Sequence, residues 1–434
     1  MSRSLIYATL CALILCIGAC SDSSDSGAGI PPGEEPYVPG VTQAELAAAE
    51  STLTDATLDF GLELFRHCVD NAEPTENVFI SPLSVIYALI LAGNGAAGDT
   101  KDAFQTTLGL IGHSDEAINL KISELTRILA AADPDVQFRA ANSIWSRAGK
   151  ALVPEYVELC RNYLEARVSE MDFHDPAVAD TINNWVAKNT NDKIKEIVNA
   201  GELADMACLL LNAIYFKANW TYPFDTSLVR TAPFYLADGS VKDCELMARH
   251  IEEDEEFFED FSERPIAYFA NDVVKGVELP YGCEGFYLTV LMPSHSDDLH
   301  DLNEALTPEN WGAWLTLGRG TWFYFAMPKF TFEFDIDLSD ILRSMGLDIV
   351  FSPTRADFSG MFVDGVGWID LVKHKTFVKV DEFGTEAAAV TSIAIFDAEP
   401  PSLIANRPFI VVIHEKSTGA ILFIGRISDP VWEE

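Results

Sequence analysis

The sequence predicts an α+β fold, with helices concentrated in the first half of the chain and strands in the second. Apolar residues recur at the three- and four-residue spacing of a buried helix face between Gln43 and Asp70. The same spacing indicates further helices at 82–92, 115–131, 154–164, 178–189 and 337–345. Helices and strands do not alternate regularly along the chain, so a doubly wound parallel sheet is not expected.

Strand patterns are clearest towards the C-terminus. Phe330, Phe332, Phe334 and Ile336 alternate with polar residues, as in a strand with one buried face. Further on, the sequences FIVVI and AILFIGRI flank the polar segment HEKSTG. Two apolar runs joined by such a segment predict a hairpin whose strands are both largely buried.

The composition indicates a large core and a strongly acidic surface. The chain has 434 residues, of which 48% are hydrophobic, and a formal net charge of −38. This length allows two or three domains or one large domain. Because nucleic acids, heparin-like polyanions and anionic membranes each require a basic face, none of them is an expected partner.

The N-terminus has the features of a processing signal. Arg3 precedes an apolar run at 5–18 that is too short to span a membrane comfortably. The run ends in Ile17-Gly18-Ala19-Cys20, which resembles a bacterial lipobox, in which Cys20 would carry the lipid. An ordinary cleaved secretory signal is the alternative. The sequence thus predicts a signal at 1–19, a flexible tether at 20–42 and one domain at 43–434, anchored in the cell envelope at the outer membrane or cell surface.

The cysteine pattern argues against a disulfide framework. Beyond Cys20 the chain has an odd, widely spaced set without a C-x-x-C motif, namely Cys68, Cys160, Cys208, Cys244 and Cys283. Such a set indicates neither paired disulfides nor a zinc site, and no metal or other cofactor is expected. Cys208 lies in the apolar run ACLLLNAIYF and is interpreted as a small buried hydrophobic residue.

Two motifs suggest binding sites that their context does not favour. Residues 93–98 read G-x-G-x-x-G, but they follow a helical pattern, whereas a dinucleotide-binding loop follows a strand. A helix that ends in glycines is the better interpretation. The acidic run at 252–263 could bind cations or a basic partner, although a solvated loop is favoured. No G-x-S-x-G, H-E-x-x-H or Walker motif is present, so an enzyme is not expected.

The segment after Gly384 combines properties of a loop and of a strand. It contains no proline before Pro400, and Glu386 is the only charged residue between Gly384 and Phe396. Placed in a strand, the residues of one parity can all be buried: Thr385, Ala387, Ala389, Thr391, Ile393 and Ile395. The other parity suits a more exposed face: Glu386, Ala388, Val390, Ser392, Ala394 and Phe396. With Gly384 as a hinge, the segment is able to become a central strand.

Four stretches follow one another in an order that is specific to one family. They are NVFISPLS at 77–84, LLLNAIYFKANW at 209–220, MPKF at 327–330, and the segment after Gly384 followed by ANRPFIVVI. Together they resemble the serpin family of serine protease inhibitors over residues 43–430. The resemblance implies three β-sheets, eight or nine helices and an exposed reactive-centre loop at about 384–407.

The resemblance also implies roles for individual residues. Ser81, Ser84, Asn212 and His374 match a polar cluster beneath the central sheet, where the strands must part. Trp220 matches a tryptophan at the top of that sheet, where insertion of the loop begins. From the residues alone, these side chains also fit a satisfied buried polar network.

The hinge favours an inhibitory member of the family. Its residues follow the inhibitory pattern: Gly384, Thr385, Glu386, Ala387, Ala388 and Ala389. The resemblance then implies a suicide-substrate inhibitor, which traps an acylated protease by inserting its cleaved loop into the central sheet. The alternative is a non-inhibitory serpin that acts as a binding or scaffold module.

The family spacing places the scissile bond between Ala398 and Glu399, which implies an elastase-like serine protease with a shallow pocket. The loop is about one residue short, so cleavage after Phe396 or Asp397 stays open, and chymotrypsin- or subtilisin-like targets with it. The expected partners are therefore serine proteases. The protein is expected to act as a monomer that contacts the membrane only through its lipid.

Overall fold

The computed structural model describes residues 43–251, 267–295, 299–317, 323–385 and 402–432. The predicted α+β class is confirmed. This part of the chain forms ten α-helices, one more than the upper expectation, and two of them have only four residues. They are α1 (Gln43–Asp70), α2 (Pro82–Asn94), α3 (Gly98–Thr107), α4 (Asp115–Ala131), α5 (Pro154–Leu164), α6 (Ala177–Asn189), α7 (Ala200–Leu203), α8 (His300–Ala305), α9 (Pro308–Leu315) and α10 (Ser339–Leu342).

Sixteen strands accompany these helices in the described ranges. They are β1 (Val78–Ile80), β2 (Val136–Arg147), β3 (Arg167–Met171), β4 (Cys208–Asn219), β5 (Asp225–Tyr235), β6 (Val241–Ile251), β7 (Ala267–Ala270), β8 (Val274–Tyr281), β9 (Phe286–Pro293), β10 (Phe323–Pro328), β11 (Phe330–Asp337), β12 (Lys373–Val380), β13 (Gly384–Thr385), β14 (Ser402–Ile404), β15 (Phe409–Glu415) and β16 (Ile421–Ile427).

The glycine-rich motif at 93–98 ends a helix, as the sequence predicts. Ser81 caps α2 by accepting a hydrogen bond from the Ser84 amide at 3.3 Å, and Pro82 occupies the first turn. The helix ends at Gly95, whose amide donates back to Ala92 and Gly93, and α3 begins at Gly98. Because a helix rather than a strand precedes the motif, its geometry is not that of a dinucleotide-binding loop.

The helix predicted at 337–345 is shorter than the pattern suggests. α10 covers only Ser339–Leu342, and a π-helical turn at Arg343–Leu347 follows it. Gly346 has φ +110°, outside the helical region, which breaks the hydrogen-bond ladder there. The spacing of apolar residues does not predict this break in the helix, because Leu342 and Leu347 are buried on both sides of it.

The C-terminal hairpin is the centre of the largest sheet. β15 and β16 are buried along their whole length, as predicted. They belong to a six-stranded sheet in the order β1-β16-β15-β9-β8-β7, and a four-stranded sheet has the order β14-β10-β6-β5. No helix among the described residues is long and apolar enough to cross a membrane.

The central sheet is divided into two parts. β4 pairs with β2 along its length, in the order β13-β4-β2-β3, and β11 pairs separately with β12. Within the described residues, the second edge of β4 pairs only with the two residues of β13. The structure therefore shows four sheets instead of the expected three, because a slot separates β4 from β12.

The two faces of β4 lie against different apolar clusters. Ile214, Phe216 and Ala218 face the main core, whereas Leu209 and Leu211 pack against a smaller cluster that includes Ile182 and Val186 of α6. A strand that entered the slot beside β4 would therefore be covered on both faces over much of its length.

Candidate functional site

A slot between β4 and β12 lies beside the predicted site residues. Its lower part has an empty volume of about 1070 Å³ and is lined by 208–212 of β4, by 368–375 leading into β12, and by Ser84 of α2. Its upper part, about 450 Å³, is lined by Phe216, Phe377, Val378 and Thr385 among others. Apolar walls and an unpaired strand edge make the slot an acceptor for a β-strand.

The upper end of the slot is closed by a tight turn at Asp381–Gly384. The Asp381 amide donates to the Gly384 carbonyl at 3.0 Å, and the Phe383 amide donates to the Asp381 carboxylate at 2.9 Å. Gly384 has φ +140°, and a Cβ there would lie 2.2 Å from the Ala218 carbonyl oxygen. Only glycine fits this close approach, so the turn depends on Gly384.

Trp220 ties this turn to β4. Its backbone amide donates to the Phe383 carbonyl at 2.9 Å, and its indole Nε1 donates to the Asp381 carbonyl at 2.9 Å. Its ring stacks on Tyr281 with centroids 4.3 Å apart, and the Tyr281 hydroxyl lies 3.1 Å from Thr385 Oγ1. Trp220 therefore lies at the upper end of the slot, and Thr385 is buried on the main-core side.

A charge network of the buried Lys329 and Glu382 with the exposed Glu245 supports the same turn. Lys329 Nζ lies 2.6 Å from Glu245 and 3.2 Å from Glu382. Burial alone would lower the pKa of Lys329, but its hydrogen bonds to these two carboxylates outweigh burial and raise the pKa. The Glu382 carbonyl in turn accepts from the Phe224 amide at 2.9 Å. These contacts fix the strand end at 381–382 from which the loop departs.

Ser81, Ser84 and His374 are brought together at the lower part of the slot. His374 Nε2 accepts a hydrogen bond from the Ser81 amide at 2.9 Å, and Ser81 Oγ donates to the Leu422 carbonyl at 2.7 Å. His374 is buried, and burial lowers its pKa from 6.5 to about 4. The ring is therefore neutral at physiological pH, as its acceptor role requires.

Asn212 lies across the slot from His374 and shares no hydrogen bond with it in the structure. Its Nδ2 donates to Asn142 Oδ1 at 2.9 Å, and Asn142 Nδ2 donates to the Leu164 carbonyl at 2.8 Å. The Asn212 Oδ1 atom is buried without a hydrogen-bond partner. An unsatisfied acceptor beside an open strand edge is a group that an incoming strand could satisfy.

The remaining predicted site residues lie outside the described residues. They are Cys20, Glu386, Ala387, Ala388, Ala389, Ala398 and Glu399. Of the hinge, the structure describes Gly384 and Thr385.

Sequence reasoning missed several residues that hold the upper end of the slot. Lys329 lies within MPKF and Tyr281 ends ELPY at 278–281, which also resembles the family, but the resemblance assigns neither residue a contact. Asp381 and Glu382 lie three and two residues before Gly384, and a turn closed on Gly384 could have been anticipated from the glycine. Asn142 begins NSIW at 142–145, a further stretch that resembles the family without an assigned contact.

Cys208 is more exposed than the sequence suggests. It is only partly buried and lines the lower slot, although burial still raises the pKa of its thiol to about 12. All five cysteines in the described residues are free thiols.

One group of side chains in the described ranges has metal-ligand spacing. Ligand atoms of Asp133, Asp135 and Cys283 lie within 4.8 Å of one another. The Asp133 carboxylate already accepts from the amides of Cys283 and Gly285, at 2.7 and 3.1 Å. A hydrogen bond to Asp135 raises the pKa of the Cys283 thiol, which disfavours the thiolate that a metal requires. The group is therefore interpreted as an anchor for the turn at 282–285.

Comparisons with known proteins agree with this geometry. The family model described as Serpin (serine protease inhibitor) matches residues 55–430. Serpin-Z2A of Triticum aestivum is 34% identical over 394 residues, covering 86% of this chain and 95% of its own length. Serpin B9 of Homo sapiens is 30% identical over 389 residues, covering 87% and 100%. The native structure of the thermophilic serpin Tengpin superposes with a TM-score of 0.75 at 28% identity, covering 87% and 94%.

Replacing Gly384 with alanine should detach the hinge from β4. The new Cβ would meet the Ala218 carbonyl oxygen at 2.2 Å and Asn219 Cα at 2.6 Å. We expect Gly384→Ala to lower the free energy of unfolding by about 1–3 kcal/mol, measured by urea denaturation. Gly112→Ala is the matched control, because Gly112 has φ +88° with open space around it. An equal loss of stability in both variants would show that backbone strain, and not the contact with β4, causes the destabilisation.

Acid should destabilise the protein through His374. Its folded pKa of about 4 lies below the unfolded value of 6.5, so the stabilisation is complete above pH 6.5 and is lost as pH falls to 4. This shift corresponds to roughly 3 kcal/mol at the lower end of the window. His414, whose pKa burial also lowers to about 4, contributes in the same direction.

The measurement is urea denaturation of His374→Asn between pH 4 and 7. We expect a shallower loss of stability on acidification than in the wild type. His174→Asn, at an exposed position, is the control and should follow the wild-type curve. A His374→Asn curve parallel to the wild type would contradict the assignment.

Proposed function

Because the chain belongs to the serpin family of serine protease inhibitors, we propose that it is a suicide-substrate inhibitor that traps serine proteases. In this mechanism the protease cleaves the reactive-centre loop, and the freed segment enters the slot between β4 and β12 as a new strand. The observation that carries the proposal is the pairing of Gly384 and Thr385 with β4 at the upper end of an otherwise open slot.

That pairing fixes the register of an incoming strand. Gly384 is opposite Asn219 and Thr385 is opposite Ala218, in antiparallel orientation. Continued one residue at a time, the register places Thr391 opposite Asn212 and Ile395 opposite Cys208, the first residue of β4. The inserted segment would therefore match the full length of β4.

The same register assigns each side chain to a face. Thr385 shares the main-core face with Ala218, so the small and aliphatic residues of its parity would enter the main core. The Thr391 hydroxyl would reach the level of the unpaired Asn212 Oδ1 atom. Glu386 would lie opposite Lys217, an opposite-charge pair of the kind that stabilises neighbouring strands.

The second face is less exposed than the sequence suggests. Over Leu209 and Leu211 it is covered by α6. Residues of the other parity, from Ala388 to Phe396, are mostly apolar or small. They are therefore compatible with this covered face as well.

Insertion would release enough free energy to distort a captured protease. About ten new backbone hydrogen bonds, each with a net value of about 1 kcal/mol, would form along β4 and β12. Burial of the aliphatic side chains adds to this. The sum is comparable with the roughly 5–15 kcal/mol by which an ordinary domain is stable.

The chemistry of the trap follows from the position of the cleaved bond. The protease serine attacks the Ala398 carbonyl carbon, the bond to the Glu399 nitrogen breaks, and the new amine leaves with a proton from the protease. Ala398 then carries the protease as an ester. Ala398 is the thirteenth residue after Thr385, about 43 Å further along an extended strand, so insertion carries the protease past the lower end of β4.

The residue before the bond indicates the target class. Ala398 suits a protease with a shallow, elastase-like pocket. Cleavage after Phe396 would indicate a chymotrypsin-like target, and cleavage after Asp397 an acid-specific one. Glu399 favours a protease with positive charge beside its active site.

The N-terminal sequence supports a location at the cell surface. We propose that Cys20 is lipidated and that residues 20–42 tether the inhibitory domain to the bacterial outer membrane. Together the anchor and the hinge describe a shield against proteases of a host or of competing organisms. The protein would act there as a monomer.

The test is incubation of the domain at 43–434 with pancreatic elastase, chymotrypsin and subtilisin. We expect a covalent complex with at least one of them that survives boiling in detergent. Mass spectrometry of the released C-terminal fragment then identifies the scissile bond by its first residue. Cleavage without a complex and without a gain in thermal stability would favour the alternative, a non-inhibitory binding or scaffold module.

A charge on the inserted strand distinguishes trapping from simple cleavage. Ala389 would lie opposite Ile214 on the main-core face, so Ala389→Arg should block insertion and turn the inhibitor into a substrate. Ser402→Arg is the control, because Ser402 lies in β14, beyond the cleaved bond, and is exposed. We expect the amount of inhibitor consumed per trapped protease to rise steeply in the first variant only. An unchanged ratio for Ala389→Arg would exclude this register.

Lipidation of Cys20 predicts a specific location. The full chain, expressed in a bacterial host, should fractionate with the envelope and incorporate labelled palmitate, and Cys20→Ser should abolish both results. Secretion of a soluble protein with the Cys20 residue unmodified would support the ordinary signal peptide instead. Recovery from the cytoplasm would contradict both interpretations.

A further inference from the structure

Three large apolar side chains are exposed close together in the segment that leads into β12. Val363, Val366 and Trp368 are 66%, 56% and 39% exposed. We refer to these three residues as the exit patch. Large apolar side chains grouped on a surface, with charged groups around them, are typical of a protein-binding site.

The segment that carries the exit patch is held firmly in place. Lys150 Nζ donates to the Asp364 carboxylate at 2.8 and 2.9 Å and to the Val366 carbonyl at 2.5 Å. The Val363 amide donates to the Ala151 carbonyl at 3.0 Å, and the Trp368 indole donates to Asp370 at 2.5 Å. The exposure is therefore a fixed feature of the fold, and little conformational entropy would be lost when a partner binds.

The exit patch lies at the end of the slot opposite to the hinge. Trp368 lines the lower cleft together with Met206 and Cys208. The register set by Gly384 and Asn219 carries Ala398 three residues past Cys208, the first residue of β4. The cleaved bond and the exit patch would therefore meet at the same end of the molecule.

We propose that the exit patch docks the captured protease after the loop has inserted. This inference rests on the proposed function, since it assumes that an acylated protease reaches this end. Two exposed carboxylates, Asp205 and Asp370, lie beside the patch, whereas Asp364 is paired with Lys150. They suit a protease surface that presents an apolar area bordered by basic side chains.

A small patch is sufficient for this task because the partner is already attached. The ester at Ala398 holds the protease beside the patch at an effective concentration far above that of free protease. The contact does not need the area of an interface between free proteins. Since the patch and the hinge lie at opposite ends of the slot, the patch acts after capture and has no part in the initial encounter.

The test compares two double variants of the inhibitor in complex with elastase, or with whichever protease the wild type traps. Val363→Ser and Val366→Ser together remove the two most exposed side chains of the exit patch, and neither of them lines the slot. Ile111→Ser and Val241→Ser are the matched control, because those side chains are 67% and 55% exposed at other sites. We expect both variants to associate with the protease at the wild-type rate and stoichiometry.

The difference should appear in the lifetime of the purified complex. Return of protease activity should be about tenfold faster in the exit-patch variant, the effect of losing a modest interface hot spot, and unchanged in the control. Equal lifetimes in wild type and exit-patch variant would overturn the proposal while leaving the inhibitory function intact.

A second measurement does not depend on the variants. Hydrogen exchange of the wild-type complex should show protection of 362–370 relative to wild-type inhibitor that has been cleaved and carries no protease. Equal exchange in the two states would overturn the proposal, as would sedimentation showing that a second copy of the chain covers this surface. Protection by residues 20–42 in the uncleaved full chain would overturn it as well. If the wild type traps no protease at all, that result contradicts both the proposed function and this inference.

Discussion

Two backbone pairs, Gly384 with Asn219 and Thr385 with Ala218, determine how the rest of the structure is organised. They exist because Gly384 tolerates φ +140° and an approach to the Ala218 carbonyl that no side chain would permit. The stacked rings of Trp220 and Tyr281 keep them in place. Everything proposed for the loop, from the face that each side chain occupies to the position of Ala398, is a continuation of this one register.

The slot below these pairs has unsatisfied hydrogen-bonding groups within well hydrogen-bonded surroundings. Below Ala218, no strand of the described residues pairs with the second edge of β4, and the Asn212 Oδ1 atom has no hydrogen-bond partner. Unsatisfied groups of this kind raise the free energy of the folded state. His374, Ser81 and Asn142 hold the two sides of the slot through hydrogen bonds that do not cross it. The described residues therefore keep an open strand edge and an unsatisfied acceptor within surroundings that are otherwise hydrogen-bonded.

The sequence predicts the features that depend on the local spacing of residues. It does not predict the features that depend on pairing between distant segments. The helix at Gln43–Asp70, the helix that ends at Gly95 and the buried C-terminal hairpin follow from periodicity and from glycine, and the structure shows all three. The slot could not be predicted from spacing, because a missing pair between β4 and β12 leaves no pattern in either strand. Likewise, α6 covers Leu209 and Leu211 through a tertiary contact. The alternation of residues in the segment after Gly384 gives no information about that contact. The identity of the residues at 77–84 and 209–220 carried the site assignment, since the family resemblance is what located the polar cluster.

The thiols of the domain have a consequence for the conditions in which it can work. No disulfide joins the described residues, and burial raises the pKa of Cys68, Cys160 and Cys208 to about 12. Such thiols are protonated and react slowly with oxidants, although Cys208 lines the slot and the free thiol of Cys283 is exposed. The two parts of the central sheet are held together without a disulfide among the described residues. A reductant therefore has no disulfide bond to cleave in this part of the fold.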